Sequence, residues 1–332
     1  MRRTALLAAA LLAAAGPAGC GSGEDPRSFP PAAEPARSPV PAKAPAGKVM
    51  RVGAKPEGVV ADARTGLVAV ALTAPDRLAL VDHRSGRVVG GVPLPGAPRH
   101  IRLAGPGGPV IVPAESGDAL AEVPLRRGRV RVTKVGDGPH DADARGGRVF
   151  VADEFGSTLS IVAGGRRVAQ VRAPLQPGGL AVVPGGPVAL VAVRERVLAL
   201  FDPATGERIA QAPAGVGPTH VEAGDGGRVY VADTDGDAIL LFRTRPDLEL
   251  VRRVALPGRP YGMTIDRTRG RLWVTLTARN EVVWLPANGA PRPVDRYPTV
   301  RQPNSVAVHE PTGRVFVASR TDGTLQLLDP RR

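Results

Sequence analysis

Aromatic side chains make up only 3% of this 332-residue chain, so its core has to be built from Val, Leu, Ile and Ala. Small branched side chains of that kind suit thin, closely stacked sheets. There is a single cysteine, Cys20, which excludes an internal disulfide and every paired-cysteine metal or redox motif. The apolar run at residues 6–15 is too short to cross a bilayer, which takes about 20 residues. Enzymatic motifs are missing too: there is no GxSxG elbow, HExxH helix, CxxCH haem site or phosphate loop. Lysine is nearly absent, with four among 44 basic residues, although the formal net charge is +13. The arginines are scattered through turn-like segments, so the charge reads as solvated, with a loose attraction to anionic lipids or wall polymers as the alternative. No nucleic-acid partner is expected.

What is present is repetition. "GRVFVADEFGSTLSIV" at 147–162 returns as "GRVYVADTDGDAILLF" at 227–242 and as "GRVFVASRTDGTLQLL" at 313–328. Each phrase holds two β-branched and aromatic runs around an Asp/Gly-rich turn, the pattern of a β-hairpin. The copies start 80 and 86 residues apart, and weaker versions begin at Gly66, Gly108, Gly186 and Gly270. A proline leads each of the seven units: Pro56, Pro98, Pro139, Pro177, Pro218, Pro260 and Pro303, at intervals of 42, 41, 38, 41, 42 and 43. A short apolar strand follows each proline, and segments like 205–211 supply a further strand after the hairpin. Four strands per repeat of this length predict an all-β, seven-bladed propeller over 48–330. Residues 48–52 hold the place before Pro56 that an outer strand holds before Pro260. They are expected to complete the last blade and close the ring.

"RVYVAD", "RVFVAD" and "RVFVAS", followed by "TLSIV" or "TLQLLD", resemble the motif of the YVTN-repeat β-propellers, a family of bacterial envelope proteins. The resemblance implies the propeller fold and an envelope location. Blades 2 and 4 depart most from the motif, through Pro113 and Ala114 in one and "VRERV" in the other, and there is no Trp-Asp dipeptide at a strand end.

The N-terminus is organised differently. Met1, Arg2 and Arg3 precede the apolar run, and small residues lead to "PAGC", which resembles the lipobox of bacterial lipoproteins. Residues 1–19 read as a lipoprotein-type signal peptide and Cys20 as the lipidation site, with ordinary signal cleavage as the alternative. Removing the leader, with Arg2 and Arg3, lowers the net charge to +11. Residues 20–47, rich in Pro, Ala and Ser, are expected to form a disordered tether. The membrane, through Cys20, is thus an expected partner, and the extracytoplasmic face of the cell membrane the expected location.

Two acidic or glycine-rich stretches carry little. "DTDGD" at 233–237 has calcium-loop spacing, but its glycine comes at position 4 and Thr244 stands where a bidentate Glu is needed. Together with "GDGGRV" at 224–229, it reads as a turn. The histidines say more. His83 and His309 lie beside turns and are expected to be exposed. His100, His140 and His220 each follow a lead proline by one or two residues, at one mouth of the central channel. At the same phase stand Glu57, Arg99, Asp141, Tyr261 and Asn304, and these eight form the candidate ligand site. Three uses are open: bonding to neighbouring blades, a pocket for a small molecule or peptide, or a metal site. No residue is assigned as a metal ligand and no cofactor is named, because the imidazoles of blades 2, 3 and 5 would have to converge on one ion. The "PYG" at 260–262 resembles the Pro-aromatic-Gly segments of streptogramin lyases, but the other blades do not repeat it. The functional expectation is an anchored binding or interaction module for a protein, peptide or small molecule. The alternative is a metal-assisted lyase or hydrolase at the histidine rim.

Overall fold

A computed structural model describes residues 29–330 apart from 289 and 290. The signal peptide and Cys20 lie outside the described residues. Among the described residues, seven four-stranded antiparallel sheets follow one another with almost no helix, and the fold is a seven-bladed β-propeller. In blade 5 the repeated phrase becomes strands Arg228–Asp233 and Ala238–Arg243, paired from Arg228↔Arg243 to Asp233↔Ala238. "DTDGD" supplies the turn, with Asp237 at φ 50°. Blade 2 is the irregular one: its innermost strand is only Arg102–Leu103, and its hairpin turns through a 3-10 segment at Glu115–Gly117.

One sheet cannot cover both of its own faces, and the sequence answers with seven apolar clusters, each shared by two successive blades. They are filled by Val, Leu, Ile and Ala, with Phe150, Phe201, Tyr230, Phe242, Trp273 and Phe316 as the large buried side chains. The few aromatics are therefore spent between blades. The ring closes as expected: Lys48–Arg51 pairs with Thr324–Leu328, from Lys48↔Leu327 to Arg51↔Thr324, as the outer strand of blade 7.

Ahead of that strand the structure differs from the expectation of a disordered tether. Residues 34–46 lie against blades 6 and 7, on the face where the innermost strands begin. Ser38 is buried; its amide donates to Gln302 Oε1 (2.9 Å) and its hydroxyl to the Thr277 carbonyl (2.5 Å). Gln302 Nε2 donates to the Ala36 carbonyl (2.7 Å) and Asn280 Nδ2 to the Pro39 carbonyl (2.9 Å). Composition misleads here because a proline-rich strand has no ladder of its own. Its polar backbone is satisfied by amide side chains projecting from the propeller.

His83 and His309 are also not exposed. They stack at 3.9 Å between ring centroids where blades 1 and 7 meet, with His309 Nδ1 2.9 Å from Thr312 Oγ1. Burial pushes both imidazoles down, His309 to about 4, with Asp82, Arg84, Arg314 and Asp62 as the charged groups around them. A folded-state value below the unfolded one means that the neutral pair stabilises the fold above about pH 6.5 and that this stability is lost as pH falls toward 4. The melting temperature should therefore drop between pH 6.5 and 4.5, and His309→Phe, which keeps a stacked ring, should flatten that slope. An unchanged slope in the variant would exclude the pair as its source.

Candidate functional site

Six of the seven innermost strands, all but that of blade 2, start with a β-bulge, seen as a register shift after Pro56, Pro139, Pro177, Pro218, Pro260 and Pro303. A bulge adds an unpaired residue and re-aims its side chain. The two residues after the proline thereby form two rings about the propeller axis. The upper ring is Glu57, Arg99, His140, Gly178, Thr219, Tyr261 and Asn304; the lower ring is Gly58, His100, Asp141, Gly179, His220, Gly262 and Ser305. Glycine recurs in the lower ring because the neighbouring strand passes close by: a Cβ on Gly262 would lie 2.4 Å from the Asn304 carbonyl. Blades 2, 3, 5 and 7 escape that restriction and carry His100, Asp141, His220 and Ser305.

The structure brings the eight expected residues together, but in two layers. In the rim layer, Arg99 lies 3.9 Å from Glu57 and 3.2 Å from Glu115, and Arg320 also pairs with Glu57. His140 Nδ1 meets Glu154 Oε2 and lies 3.8 Å from Glu115 Oε1; Gln176 Nε2 donates to Glu154 Oε1 (2.7 Å). Burial alone would raise the Glu154 carboxyl, but the hydrogen bonds from His140 and Gln176 pull it down to about 2. Burial raises Glu57 despite Arg320 and Arg99. Glu57, His140, Glu154, Tyr261 and Asn304 are all buried, so this end of the axis is filled by side chains.

Beneath the rim, His100 and His220 face one another across the axis with their Nε2 atoms 3.1 Å apart. The rings of His140 and Tyr261 pack edge-on against them, at 4.8 and 4.3 Å. Burial lowers both imidazoles, His220 to about 3, so the pair is neutral and shares one N–H···N contact. The three imidazoles therefore do not converge on a point: two pair with each other, and His140 turns its Nδ1 to the rim carboxylates.

From this level a cavity of about 370 Å³ runs along the axis to the opposite face, reached at the exposed Pro106 and Arg267. His100, Asp141, His220 and Asn304 line it, whereas Glu57, Arg99, His140 and Tyr261 stay in the rim. Strand alternation adds the residues two places further on, which sequence reasoning missed: Arg102, Asp143 and Glu222. Arg102 bridges the axis, donating to Glu222 Oε1 (2.8 Å) and the Val221 carbonyl (2.9 Å) with its Nε 3.6 Å from Asp141 Oδ1. Burial raises the carboxyls of Asp141 and Glu222, and the Arg102 charge opposes that rise. Asp141 also accepts the Leu180 and Ala142 amides (2.9 and 2.8 Å), so it fastens blade 3 to blade 4 as well as facing the cavity. The other wall, from blades 1, 6 and 7, presents Val60, Met263, Thr264 and Ala307 together with the charged Asp62, Arg267 and Glu310.

The rim residues Glu115, Glu154 and Arg320 were also missed. All three open a hairpin turn, and their amides donate to the carbonyls of Ala97, Gly138 and Gln302, the residues just before a lead proline. That constant relation to the proline was readable in the repeat.

Solved structures with this architecture have varied roles. The chain matches hydrazine synthase of Kuenenia stuttgartiensis with a TM-score of 0.73 and 16% identity over 84% of this chain and 96% of that one. It matches a catalytically inactive His-to-Ala variant of virginiamycin B lyase from Staphylococcus aureus, solved with quinupristin, at 0.70 and 14% over 86% and 99%. The Cps50 (Swd1) propeller domain of Myceliophteria thermophila gives 0.73 and 12%, again over 86% and 99%. What is shared is the fold. No protein-family model matches the chain, and no curated protein matches its sequence.

Proposed function

We propose that this chain is a lipid-anchored, extracytoplasmic propeller of the YVTN-repeat type that binds small amine-bearing cations in its axial cavity. One observation carries the ligand class. In a chain with a net charge of +13, the cavity lining has five acids, Asp62, Asp141, Asp143, Glu222 and Glu310, against two arginines, Arg102 and Arg267. Low-dielectric walls of one sign focus the field and concentrate counter-ions. The neutral His100–His220 pair at the closed end adds hydrogen-bonding nitrogens without adding positive charge, and the apolar side chains of Val60, Met263 and Ala307 suit a short alkyl spacer. The volume fits a small molecule rather than a folded partner. The anchor rests on Arg2, Arg3, the apolar run at 6–15 and "PAGC" ending at Cys20, the only cysteine.

Titration calorimetry with spermidine, and with glutarate as the anionic control, tests the ligand class. Spermidine should bind, glutarate should not, and Asp143→Asn with Glu222→Gln should weaken binding at least about tenfold, the equivalent of 1.4 kcal/mol. Glutarate binding as well as spermidine would sink the assignment. In cell fractionation, Cys20→Ala should move the protein out of the membrane pellet, and retention there would sink the anchor.

A further inference from the structure

Glu115, His140 and Glu154 stand apart from the axial cavity, and none of them lines it. Each reaches the rim from a separate element. Glu115 opens the 3-10 turn of blade 2, His140 is the bulged residue at the head of the innermost strand of blade 3, and Glu154 opens the hairpin turn of blade 3. One nitrogen and two carboxylate oxygens, one from each side chain, all lie within 4.8 Å of one another. We propose that these three residues form a binding site for one divalent transition-metal ion of the zinc class.

Donor chemistry selects the class. One imidazole nitrogen with two carboxylate oxygens suits zinc better than magnesium or calcium, which take oxygen alone. Ligand atoms about 2.0–2.2 Å from a tetrahedral ion sit roughly 3.2–3.6 Å from each other. The three donors bracket that spacing: His140 to Glu115 is 3.8 Å, and His140 to Glu154 is shorter than the ideal. Rotation of two carboxylates, without backbone movement, therefore accommodates the ion.

The surroundings are built to hold the carboxylates. Arg99 Nε lies 3.2 Å from Glu115 Oε1, the oxygen that also faces His140, and Gln176 Nε2 donates to the Glu154 oxygen that does not meet His140. Outer partners of this kind orient ligating groups and hold them in register. Charge permits the ion as well: the rim has Glu57, Glu115 and Glu154 against Arg99 and Arg320, an excess of one acid. His140 and Glu154 are buried while Glu115 is half-buried, so the ion would have one solvent-facing side, with a coordination position left for water or a ligand. The competing account is an ordinary hydrogen bond between His140 and Glu154, with Glu115 serving only Arg99.

The experiment uses the full chain in mild detergent, stripped with chelator and dialysed against zinc chloride, with bound metal counted by elemental mass spectrometry. One zinc per chain is expected, together with a cobalt(II) visible spectrum of a low-coordinate site. His140→Ala should weaken zinc binding by at least about a hundredfold, and Gln176→Ala, which removes an outer partner, by about ten- to a hundredfold. Glu222→Gln, in the cavity, should leave zinc binding unchanged while lowering spermidine binding, so the two sites fail or succeed separately. Glu115→Gln is the safeguard should His140→Ala not fold, because Glu115 is half-exposed. Zinc retained at wild-type affinity in Glu115→Gln, or no zinc on the wild-type chain, would overturn the site.

Discussion

Replacing Arg102 with Met should destabilise the propeller by about 3–5 kcal/mol, the usual cost of stripping the partner from a buried charge. Among the described residues, Arg102 of blade 2 is the one cation touching both Asp141 of blade 3 and Glu222 of blade 5. Without it, the buried Asp141 and the partly buried Glu222 face each other's field, and the variant recovers part of its stability when Glu222→Gln is added. The pH dependence distinguishes this from simple loss of packing. Burial already raises both carboxyls, and losing the guanidinium raises them further above their unfolded values of about 3.9 and 4.3. A raised folded-state value means that stability falls as pH climbs from about 4 through that value, so the deficit should be smaller at pH 5 than at pH 8. Urea melts of wild type and variant at both pH values measure it. An equal deficit at both, or one below 1 kcal/mol, would show that the Arg102 bridge does not hold the buried acids.

Deleting everything before residue 55 should be almost as damaging. The loss removes the four-residue outer strand of blade 7, its ladder with Thr324–Leu328, and Met50, which packs with the apolar cluster between blades 7 and 1. Four backbone pairings at roughly 1 kcal/mol each, with the Met50 contact, come to about 4–6 kcal/mol. For a domain of this size that lowers the melting temperature by about 10 °C or more. The deletion also bares the Thr324–Leu328 edge, so self-association is expected alongside. A chain starting at residue 47 keeps the strand and loses only the docked segment, and should melt within a few degrees of wild type. Equal melting of the two deletions would disprove closure by the N-terminal strand.

The repeat was legible because one hairpin phrase and one proline recur at a fixed phase. Phase alone placed Glu57, Arg99, His100, His140, Asp141, His220, Tyr261 and Asn304 around one axis. What phase could not convey was depth. The bulge after each proline sends neighbouring residues such as His140 and Asp141 to different levels, so half of the expected cluster sits in the rim and half in the cavity. Arg102 and Glu222 were overlooked because they look like solvated charges until the ring brings their side chains, from blades 2 and 5, within 2.8 Å of each other. His83 and His309 were misjudged for a similar reason: each is beside a turn, yet the two turns meet only when the ring closes.

With the proposed lipid on Cys20, the docked segment at 34–46 would limit how far the body can stand from a bilayer. A lipid on Cys20 would act through the chain between Cys20 and Glu34, whose carbonyl accepts a hydrogen bond from Arg259. Fourteen residues reach at most about 50 Å when fully drawn out, roughly half of what a free leash to residue 48 would allow. That leash leaves the body on the rim face, where Arg259, Thr277 and Gln302 hold it. Under the proposed anchor the rim would look down on the headgroups, and the acidic cavity would open away from them.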